Sequence, residues 1–593
     1  MEEIVIDDYS EQKEKNKKFK KKYIIFGIIY ILILFLIIYF KLPFFNFRSK
    51  DFYLIFTLII IGPATFAYVL INKSLEKKNN KQTYTKIKFD RKKGKIIKEK
   101  KDINEKYKLK NLIGSGIFYT ILTIVLVVLI GSLSGAKIFN ARAYAKQLTI
   151  INGNEEDLNT IFNYEEEHLL LPNIDKDLAF VTASQKLEEL GSQYSIDYDN
   201  FTLISVERNG KTELIRVTPL EYSTPFVALS QKNKGTAGYI EVNVVTNQAV
   251  LVKYPEGEGL KYMPTGVFDK DLDRHIRSKY PTVMYENKFF EIDNDGNPYW
   301  VIPTIKKEIG LFDGADVNGF ITVNARTGEC NKYKLNDSNV PSWVQRAVDD
   351  EIIAEQANNA LTYKNGFFNT LFTKKEVFQL SDGYNYFIKN GNTYYVSCIT
   401  SPNLSDETSI GFLIMNLKTK ECTRYYSSGL TEMLARKIAQ DDERVKEKQL
   451  DSTWPILITY HGVPTYFIVL KNDYQPQKTV LISVKDGTIV AIGDNLEEAK
   501  MEYEKILAEK GIIESSKVQE VTVTVDRINV IGDKKQFSVI ADENLPFDAN
   551  NVYFEVSSNL NNASRFLQSQ DKIKITYKEY ADYILVLSIE LVE

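Results

Sequence analysis

The sequence predicts a membrane-anchored α+β protein: three N-terminal transmembrane helices, then tandem modules of antiparallel sheet plus helix, and a small OB-like β-barrel at the C-terminal end. Three observations predict this fold class. Three apolar runs lie in the first 136 residues, a strand–turn–strand pattern recurs after them, and alternating strands fill the last part of the chain. With 593 residues, 44% of them hydrophobic and 26% charged, the chain is long enough for several folded domains.

The three apolar runs are Tyr23–Phe40, Phe52–Ile71 and Asn111–Ala136. Each has roughly 20 residues, and at about 1.5 Å per residue such a helix crosses the hydrocarbon layer of a bilayer. None of the three contains a charged residue. The first run is followed by a second run and not by a small-residue cleavage site. We therefore interpret it as a span and not as a cleaved signal.

Charge is distributed unevenly about these runs. Residues 1–136 carry 26 Lys and Arg against 12 Asp and Glu, which is +14, so residues 137–593 carry −17 of the total of −3. The loop 73–110 alone has 16 basic and 5 acidic residues. The positive-inside rule predicts a multi-pass cell-membrane protein with its N-terminus and loop 73–110 cytoplasmic and residues 137–593 extracytoplasmic.

The basic loop 73–110 could bind anionic lipid headgroups, or it could serve only as a topology signal. Its aromatic residues are few, and it is tethered at the membrane, so we expect no nucleic-acid partner. The predicted partners of the whole chain are the membrane and an envelope protein or cell-wall component. The sequence does not indicate the oligomeric state.

The body repeats one pattern, in which an apolar strand, a Gly-containing turn and an aromatic strand follow one another. Asn-Gly and Asp-Gly pairs suit tight hairpins, and aromatic and β-branched residues suit strands. The copies lie at 290–301, 386–396 and 456–468. A further strand follows each copy, at Gly319–Cys330, Gly411–Cys422 and Val480–Val490, with an earlier version at Gly238–Ala249. Helical patterns follow the four units, at Asp269–Ser278, Ser342–Asn358, Leu430–Glu447 and Asn495–Lys510.

The last part of the chain contains five alternating or β-branched segments, which suit a small closed barrel or a sandwich of similar size. Each preceding unit would bury one face of its sheet under a helix. We divide the chain into a cytoplasmic tail (1–22), a membrane region (23–136), a stalk with the first module (137–260), three further modules (261–360, 361–450 and 451–515) and the barrel (516–593).

Two turns, Asn324–Gly328 (NARTG) and Asn416–Lys420 (NLKTK), carry a resemblance to a known family. With the strands that lead into them, they resemble PepSY-like modules, which are small extracytoplasmic α+β domains. The whole arrangement also resembles multi-span envelope proteins of Gram-positive bacteria. PepSY-like modules are associated with inhibiting or chaperoning envelope enzymes. The resemblance therefore implies a binding role and no chemistry of its own.

Two groups of residues have a chemistry worth testing against a simpler structural role. Asp293, Asn294, Asp295 and Asn297 are oxygen donors of the kind that bind calcium, but their spacing departs from the calcium loop and favours a turn. Cys330 and Cys422 occupy equivalent repeat positions and could pair, although equivalent positions of separate modules are rarely close enough; Cys398 lies inside a strand.

Other residues favour structural roles or leave two readings open. His168, His275 and His461 lie in separate modules without metal-ligand spacing, and Glu165–Glu167 beside His168 suit a solvated helix face. The loop Tyr254–Phe268 suits either recognition or packing between modules.

The chain contains no Gly-x-Ser-x-Gly, His-Glu-x-x-His or phosphate-binding glycine motif, so we nominate no catalytic, cofactor-binding or metal-binding residue. The leading hypothesis is a non-enzymatic, membrane-anchored extracytoplasmic binding or scaffold protein. A cell-wall-active hydrolase stays open, because a carboxylate pair leaves no local motif. An envelope sensor that couples the ectodomain to loop 73–110 also stays open.

Overall fold

The computed structural model describes residues 24–25, 27–80, 87–90, 95–98, 104–164, 170–403, 408–473, 475–513, 519–531, 534–542, 545–549, 552–558, 560–579 and 583–592. The chain divides into two compact units, residues 1–488 and residues 489–593. The first unit contains the N-terminal helices and most of the repeats, and the second contains the barrel.

The N-terminal part of the first unit consists of long apolar helices and a short hairpin. Its elements are α1 (Gly27–Lys41), α2 (Lys50–Asn80), β1 (Ile87–Asp90), β2 (Lys95–Lys98) and α3 (Asn104–Ser134). Within the described residues, one helix is long and apolar enough to cross a membrane, Gly114–Ser134 in α3, with a mean hydropathy of 2.5.

The prediction of three N-terminal transmembrane helices is therefore wrong for the part of the chain that the structure describes. The first apolar run forms the shorter helix α1, which falls below the roughly 20 residues that a span needs. The second run lies in α2, a helix of 31 residues that contains Pro63, and among the described residues it does not qualify as a span. Only the third run keeps its predicted character.

The residues that follow α3 pack on later parts of the first unit. They form α4 (Lys137–Ala145), β3 (Ile150–Gly153) and α5 (Glu155–Ile161). β3 joins the sheet of the third module, where it runs parallel to a strand more than 250 residues away in sequence, from Cys422 paired with Ile150 to Tyr425 paired with Gly153. The predicted stalk thus contributes a strand to the body.

The first module pairs a helix with a four-stranded antiparallel sheet. Its elements are α6 (Lys176–Leu187), β4 (Tyr194–Ser195), β5 (Thr202–Arg208), β6 (Lys211–Pro219), β7 (Glu221–Tyr222), α7 (Pro225–Gln231), β8 (Gly238–Asn243) and β9 (Gln248–Lys253). The strand order is β5-β6-β8-β9, and β4 pairs with β7. Leu178 and Ala183 of α6 pack against Ile240 and Val242 of β8 in one core.

The second module repeats this plan with longer strands. Its elements are α8 (Leu272–Lys279), β10 (Met284–Tyr285), β11 (Phe289–Ile292), β12 (Pro298–Ile309), β13 (Asp313–Asn324) and β14 (Cys330–Lys334). The strand order is β10-β12-β13-β14, and β11 also pairs with β12. Leu272 and Ile276 of α8 share a core with the fully buried Trp300.

The third and fourth modules follow the same order of helix and then sheet. The third contains α9 (Asp350–Thr362), α10 (Phe367–Leu371), β15 (Gln379–Leu380), β16 (Asn385–Lys389), β17 (Asn392–Thr400), β18 (Thr408–Asn416) and β19 (Cys422–Leu430). The fourth contains α11 (Glu432–Asp441), β20 (Asp451–Ser452), β21 (Ile456–Tyr460), β22 (Val463–Lys471) and β23 (Pro476–Ser483).

Three of the repeats share a turn that their sequences encode. The side-chain oxygen of Asn324 accepts the backbone N–H groups of Arg326 and Thr327, each at 3.0 Å. Asn243 and Asn416 accept the N–H groups two and three residues ahead in the same way. Asn favours this turn because its side chain satisfies the backbone of the following residues.

Each strand that leads into one of these turns, β8, β13 and β18, contains a glycine at the equivalent place. A Cβ atom on Gly238, Gly319 or Gly411 would overlap a backbone carbonyl oxygen of the next strand, that of Val252, Tyr333 and Tyr425 respectively. The contacted residue lies 14 positions ahead in all three repeats, so the repeats agree in backbone geometry as well as in sequence. Glycine is required because the adjacent strand approaches too closely for a side chain.

The second unit contains a closed barrel. It begins with β24 (Val490–Gly493) and α12 (Leu496–Glu509), and the barrel strands are β25 (Gln519–Ile531), β26 (Lys534–Val539), β27 (Tyr553–Ser557), β28 (Lys572–Glu579) and β29 (Tyr583–Leu591), with α13 (Asn562–Arg565) before β28. The order is β25-β26-β27-β29-β28, and β28 pairs back with β25. The predicted C-terminal barrel is thus present as five strands around Phe537, Phe554 and Tyr577.

Candidate functional site

Residues 344–349 form an irregular buried segment where the sequence predicts the start of a helix, because α9 begins only at Asp350. A buried segment without secondary structure needs other partners for its N–H groups. Glu291 of β11 supplies them, since its carboxylate accepts the backbone N–H groups of Gln345 and Arg346, each at 2.9 Å. Gln345 in turn accepts the N–H of Ser205 at 3.0 Å, which joins the segment to the first module.

Arg346 is the charged side chain that this segment holds in place. Its guanidinium donates to Asp350 Oδ2 at 2.8 Å and to the Tyr386 hydroxyl at 3.0 Å. It also lies over the rings of Phe289 and Tyr386, at 4.3 Å and 4.5 Å from their centroids. Burial lowers the pKa of Arg346, but Tyr386 and Asp350 more than offset that effect, so the charge is firmly held.

Arg216 lies near Arg346 but has far fewer partners. It is on β6, between apolar neighbours in a strand of the first module, and its guanidinium donates to the Phe201 carbonyl oxygen at 3.3 Å. Its Nε atom is buried and makes no hydrogen bond in the described part of the chain. Burial lowers the pKa of Arg216 to about 10, and the like charge of Arg346 adds to the lowering.

Lys176 is the third cation of the group and begins α6. Its ammonium lies 4.2 Å from the centroid of the Tyr198 ring, and among the described residues it forms no ion pair, although the charge of Asp199 favours its ammonium form. Burial lowers the pKa of Lys176 to about 8, and the charge of Arg216 lowers it further. A lysine with such a pKa is an incompletely compensated charge, because burial and like charge both disfavour its ammonium form.

We call Lys176, Arg216 and Arg346, together with Tyr198 and Tyr386, the cationic cluster. It lies where the first module meets the third, since Tyr386 and Ile388 of β16 pack against the first module's core. Two of the carboxylates nearby are engaged, since Asp350 also accepts the Tyr386 hydroxyl and Asp177 accepts the Tyr198 hydroxyl at 2.6 Å, and a third, Asp199, offsets part of the charge of Lys176. The cluster therefore offers positive charge and ring surfaces, which is what an anionic group binds.

Lys471 supports the cluster from the fourth module. It pairs with Asp175, the N-cap of α6, and lies 3.5 Å from Asp177. Burial raises the pKa of Asp177, but its hydrogen bond to Tyr198 and the charge of Lys471 lower it more, so the net direction is down. This ion pair fixes the start of α6, and therefore Lys176, relative to the fourth sheet.

A small cavity of about 10 Å³ lies beside the cluster, where Tyr386, Asn385 and Glu432 contribute to its wall. This volume is that of about one water molecule. Glu432 is buried and accepts the Ser381 hydroxyl at 2.6 Å and the Cys398 N–H at 2.7 Å. Burial raises the pKa of Glu432, and both carboxylate oxygens are used in holding the third and fourth modules together.

The structure places the oxygen donors at 293–297 in a turn. Asp293 Oδ1 accepts the N–H groups of Asp295 and Asn297 at 3.0 Å and 2.8 Å, and Asp293 Oδ2 accepts the Asn297 amide at 3.0 Å. The carboxylate thus closes the turn. No group of three or more metal-ligating side chains occurs within the described residues.

The cysteines and histidines that the sequence analysis considered have structural roles or remain free thiols. Cys330, Cys398 and Cys422 are all free thiols, so Cys330 and Cys422 do not pair. His275 bonds the Gly328 carbonyl oxygen at 2.7 Å, and burial lowers its pKa. His461 adopts a positive φ of 50° in the hairpin between β21 and β22.

The loop Tyr254–Phe268 packs between the first and second modules. Leu260 and Met263 are fully buried, and the Tyr262 carbonyl oxygen accepts the Trp300 indole N–H at 3.0 Å. The packing interpretation is therefore the one that the structure supports. Glu165–Glu167 and His168 lie outside the described residues, as does part of loop 73–110.

Comparison with known proteins does not place the chain in a family. No protein-family profile matches it, and no curated protein matches it. Among solved structures, it is similar to a chimera of apocarotenoid oxygenase and RPE65, at 8% identity over 50% of this chain and 60% of that one, with a TM-score of 0.16. This chain thus covers about 60% of that protein's length.

Two further solved structures show a similarly low likeness. Synechocystis apocarotenoid oxygenase is 8% identical over 60% of each chain, with a TM-score of 0.15. An ulvan lyase is 9% identical over 67% of this chain and 85% of that one, with a TM-score of 0.16. TM-scores of this size carry no argument about fold or function, so the function is argued from the site.

Proposed function

We propose that the chain is a membrane-anchored, non-enzymatic binding protein that holds an anionic group of a cell-wall polymer at the cationic cluster. One observation carries the proposal: Lys176 and Arg216 lie together, half-buried, and neither forms an ion pair with a carboxylate among the described residues. Buried charge of one sign is costly unless it is compensated. A phosphate or carboxylate group would supply the missing partner.

The charge of the surrounding body favours a selective site over general attraction. Residues 137–593 carry a net charge of −17, so most of the surface repels a polyanion. A cationic cluster in such a body binds anions at one place. A basic protein, in contrast, would bind them over its whole surface with strong dependence on salt.

Exposed aromatic rings beside the cluster favour a polymer over a small inorganic ion. Tyr198 is 40% exposed, and Tyr384, whose ring lies 5.7 Å from that of Tyr386, is 43% exposed. Tyrosine rings provide apolar area with a polar tip, which suits the sugar or glycerol units of an anionic polymer. The rings therefore extend the contact beyond the charged group.

We place the anchor at Gly114–Ser134, the described helix that can span a membrane. The basic loop 73–110 precedes this helix, and the acidic body follows it. The positive-inside rule supports a cytoplasmic loop and an extracytoplasmic body at 137–593. A cell-wall polymer would then be within reach of the cationic cluster.

The architecture supports two further parts of the proposal. The shared Asn243, Asn324 and Asn416 turns are consistent with PepSY-like modules, whose associated role is binding. The barrel order, with β27 parallel to β29 and the remaining pairs antiparallel, is consistent with an OB-like barrel.

The test is a binding titration of the full chain in lipid nanodiscs with poly(glycerol phosphate), and with a neutral dextran as the comparison polymer. We expect the Arg216→Gln variant to bind the polyanion about tenfold more weakly, since a charge-assisted contact contributes about 1.5–3 kcal/mol. Lys211→Gln, which removes an exposed charge from the same strand, is the matched control and should bind normally.

Three results would contradict the proposal. Equal binding of dextran would remove the role of charge, and equal loss in both variants would remove the role of the cluster. Release of soluble products from the polymer by the wild-type chain would indicate a hydrolase instead of a binding protein.

A further inference from the structure

The end of the membrane helix is joined directly to the body. Ser134, the last residue of α3, accepts the Asn140 amide of α4 through its carbonyl oxygen at 2.6 Å. The Gly135 carbonyl oxygen accepts the buried Tyr144 hydroxyl at 2.8 Å. α4 therefore lies within a few ångströms of the point where the apolar helix ends.

A turn of the second module also rests on this helix end. A Cβ on Gly131 would meet Leu311 and Phe312 at less than 3 Å, and Gly135 approaches Asp313. The Leu311 N–H donates to the Ser134 hydroxyl at 3.2 Å. The 311–313 turn therefore packs against Gly131 and Gly135, where the chain has no side chains. These contacts hold the body against the end of α3 without an intervening linker.

An exposed apolar surface lies next to this junction. α4 exposes Ile138 and Phe139, and the latter is 74% exposed. α10 and the residue after it expose Phe368, Leu371 and Phe372, and Phe372 is 78% exposed. α4 and α10 are in contact with each other, and we call these five exposed side chains the juxtamembrane patch.

We infer that the juxtamembrane patch enters the interfacial layer of the lipid bilayer and seats the body on the membrane. Two features favour lipid as the occupant. The patch is continuous with the end of α3, which Asn140 and Tyr144 tie to α4. Exposed Lys374 and Lys375 lie two and three residues after Phe372, and basic residues beside exposed aromatic residues are typical of interfacial contact with anionic lipid.

The inference rests on the membrane anchorage proposed above and is independent of anion binding at the cationic cluster. Without the bilayer, the phenylalanine and leucine side chains of the patch would be in contact with water, which is unfavourable for apolar groups. At the interface they lose that contact with water, and the neighbouring ammonium groups reach the headgroups.

The experiment uses the full chain in liposomes that contain lipids brominated either near the headgroup or near the chain end. Tryptophan is added at one position at a time, in the Phe139→Trp and Phe372→Trp variants, and the signal of the wild-type chain with its three tryptophans is subtracted. Leu126→Trp in α3 serves as the anchorage control, and Phe226→Trp, an 84% exposed position on α7, serves as the exposed control. The patch residues are on the surface, so these substitutions should leave the fold intact.

We expect both patch variants to be quenched at least about twofold more by lipid brominated near the headgroup than by lipid brominated near the chain end. Phe226→Trp should show no such quenching. If Leu126→Trp is quenched and the patch variants are not, the juxtamembrane patch does not enter the bilayer, although α3 still anchors the chain. If Leu126→Trp is also unquenched, the anchorage fails. Shielded but unquenched patch tryptophans would indicate a protein cover and would also overturn the inference.

Discussion

The carboxylate of Glu291 accepts the backbone N–H of Arg346 at 2.9 Å, and this bond sets the position of the cationic cluster. Glu291 is fully buried on β11, and its second oxygen accepts the N–H of Gln345. An edge of the second sheet thereby holds a segment that has no secondary structure of its own. Without it, two buried N–H groups would lack partners, at about 1–3 kcal/mol each.

Glu291→Gln should change how stability depends on pH. Burial raises the pKa of Glu291 from 4.5 to about 7. Because the folded-state pKa is the higher one, stability that is present below about pH 4.5 is lost as the pH rises through about 7. We expect the free energy of unfolding, wild type minus variant, to fall by on the order of 3 kcal/mol across that window.

Chemical unfolding of both proteins in detergent at several pH values measures this difference. Glu443→Gln, an exposed position after α11, is the control and should leave the pH profile unchanged. A difference between wild type and Glu291→Gln that stays constant with pH would contradict the assignment.

Anion binding should weaken as the pH rises through the pKa of Lys176, which burial lowers to about 8. Only the ammonium form attracts an anion, so affinity for a phosphodiester polymer, whose own charge is constant here, should fall by up to about tenfold one unit above that pKa. In Lys176→Arg the charge persists, and the fall should disappear. Binding titrations of the wild type and Lys176→Arg at increasing pH measure this difference. The same pH dependence of affinity in both proteins would contradict the prediction.

Arg346 and Asp350 should behave as a coupled pair. Removing the guanidinium in Arg346→Met leaves the Asp350 carboxylate without its ion-pair partner and should cost about 3–5 kcal/mol of stability. Adding Asp350→Asn should recover part of that loss, because the uncompensated charge is then absent. A double-mutant cycle from unfolding data measures the coupling; simple additivity of the two losses would be inconsistent with a working ion pair.

The repeat glycines should differ sharply from the hairpin glycines. Gly319→Ala would push a Cβ into the Tyr333 carbonyl oxygen and should destabilise by about 2–4 kcal/mol. Gly391, with open space around it and a φ of 68°, is the comparison, and its alanine variant should lose only about 1–2 kcal/mol. Melting of both variants tests the close approach; equal losses would mean that the strands can separate without cost.

Local chemistry made the repeats predictable. Asn390 and Gly391 adopt the positive φ values, 51° and 68°, that an Asn-Gly hairpin requires. The helix predicted at Asn495–Lys510 is α12, capped by the Asn495 side chain. The order within each module was less predictable, because a helix between two sheets can pack on either. The helices α8 and α9 each share a core with strands of both neighbouring sheets.

The membrane spans and the cationic cluster were harder to predict, because they depend on more than the residues next to one another in sequence. Apolar composition alone does not separate a helix of span length from the shorter α1, and among the described residues only the third predicted run qualifies as a span. The cluster gathers residues from 176 to 386, and no motif joins them. The one available signal was Arg216, a cation inside the apolar strand β6, whose neighbours Ile215 and Val217 are buried.

The most direct test of the account is amine labelling of the full chain in nanodiscs, with and without poly(glycerol phosphate). Neutral amines react, so Lys176, whose pKa burial lowers to about 8, should label readily in the free protein. Bound polyanion should slow its labelling by about tenfold through charge pairing and cover, and leave Lys211 unchanged. Unchanged labelling of Lys176 at saturating polymer would contradict binding at the cationic cluster.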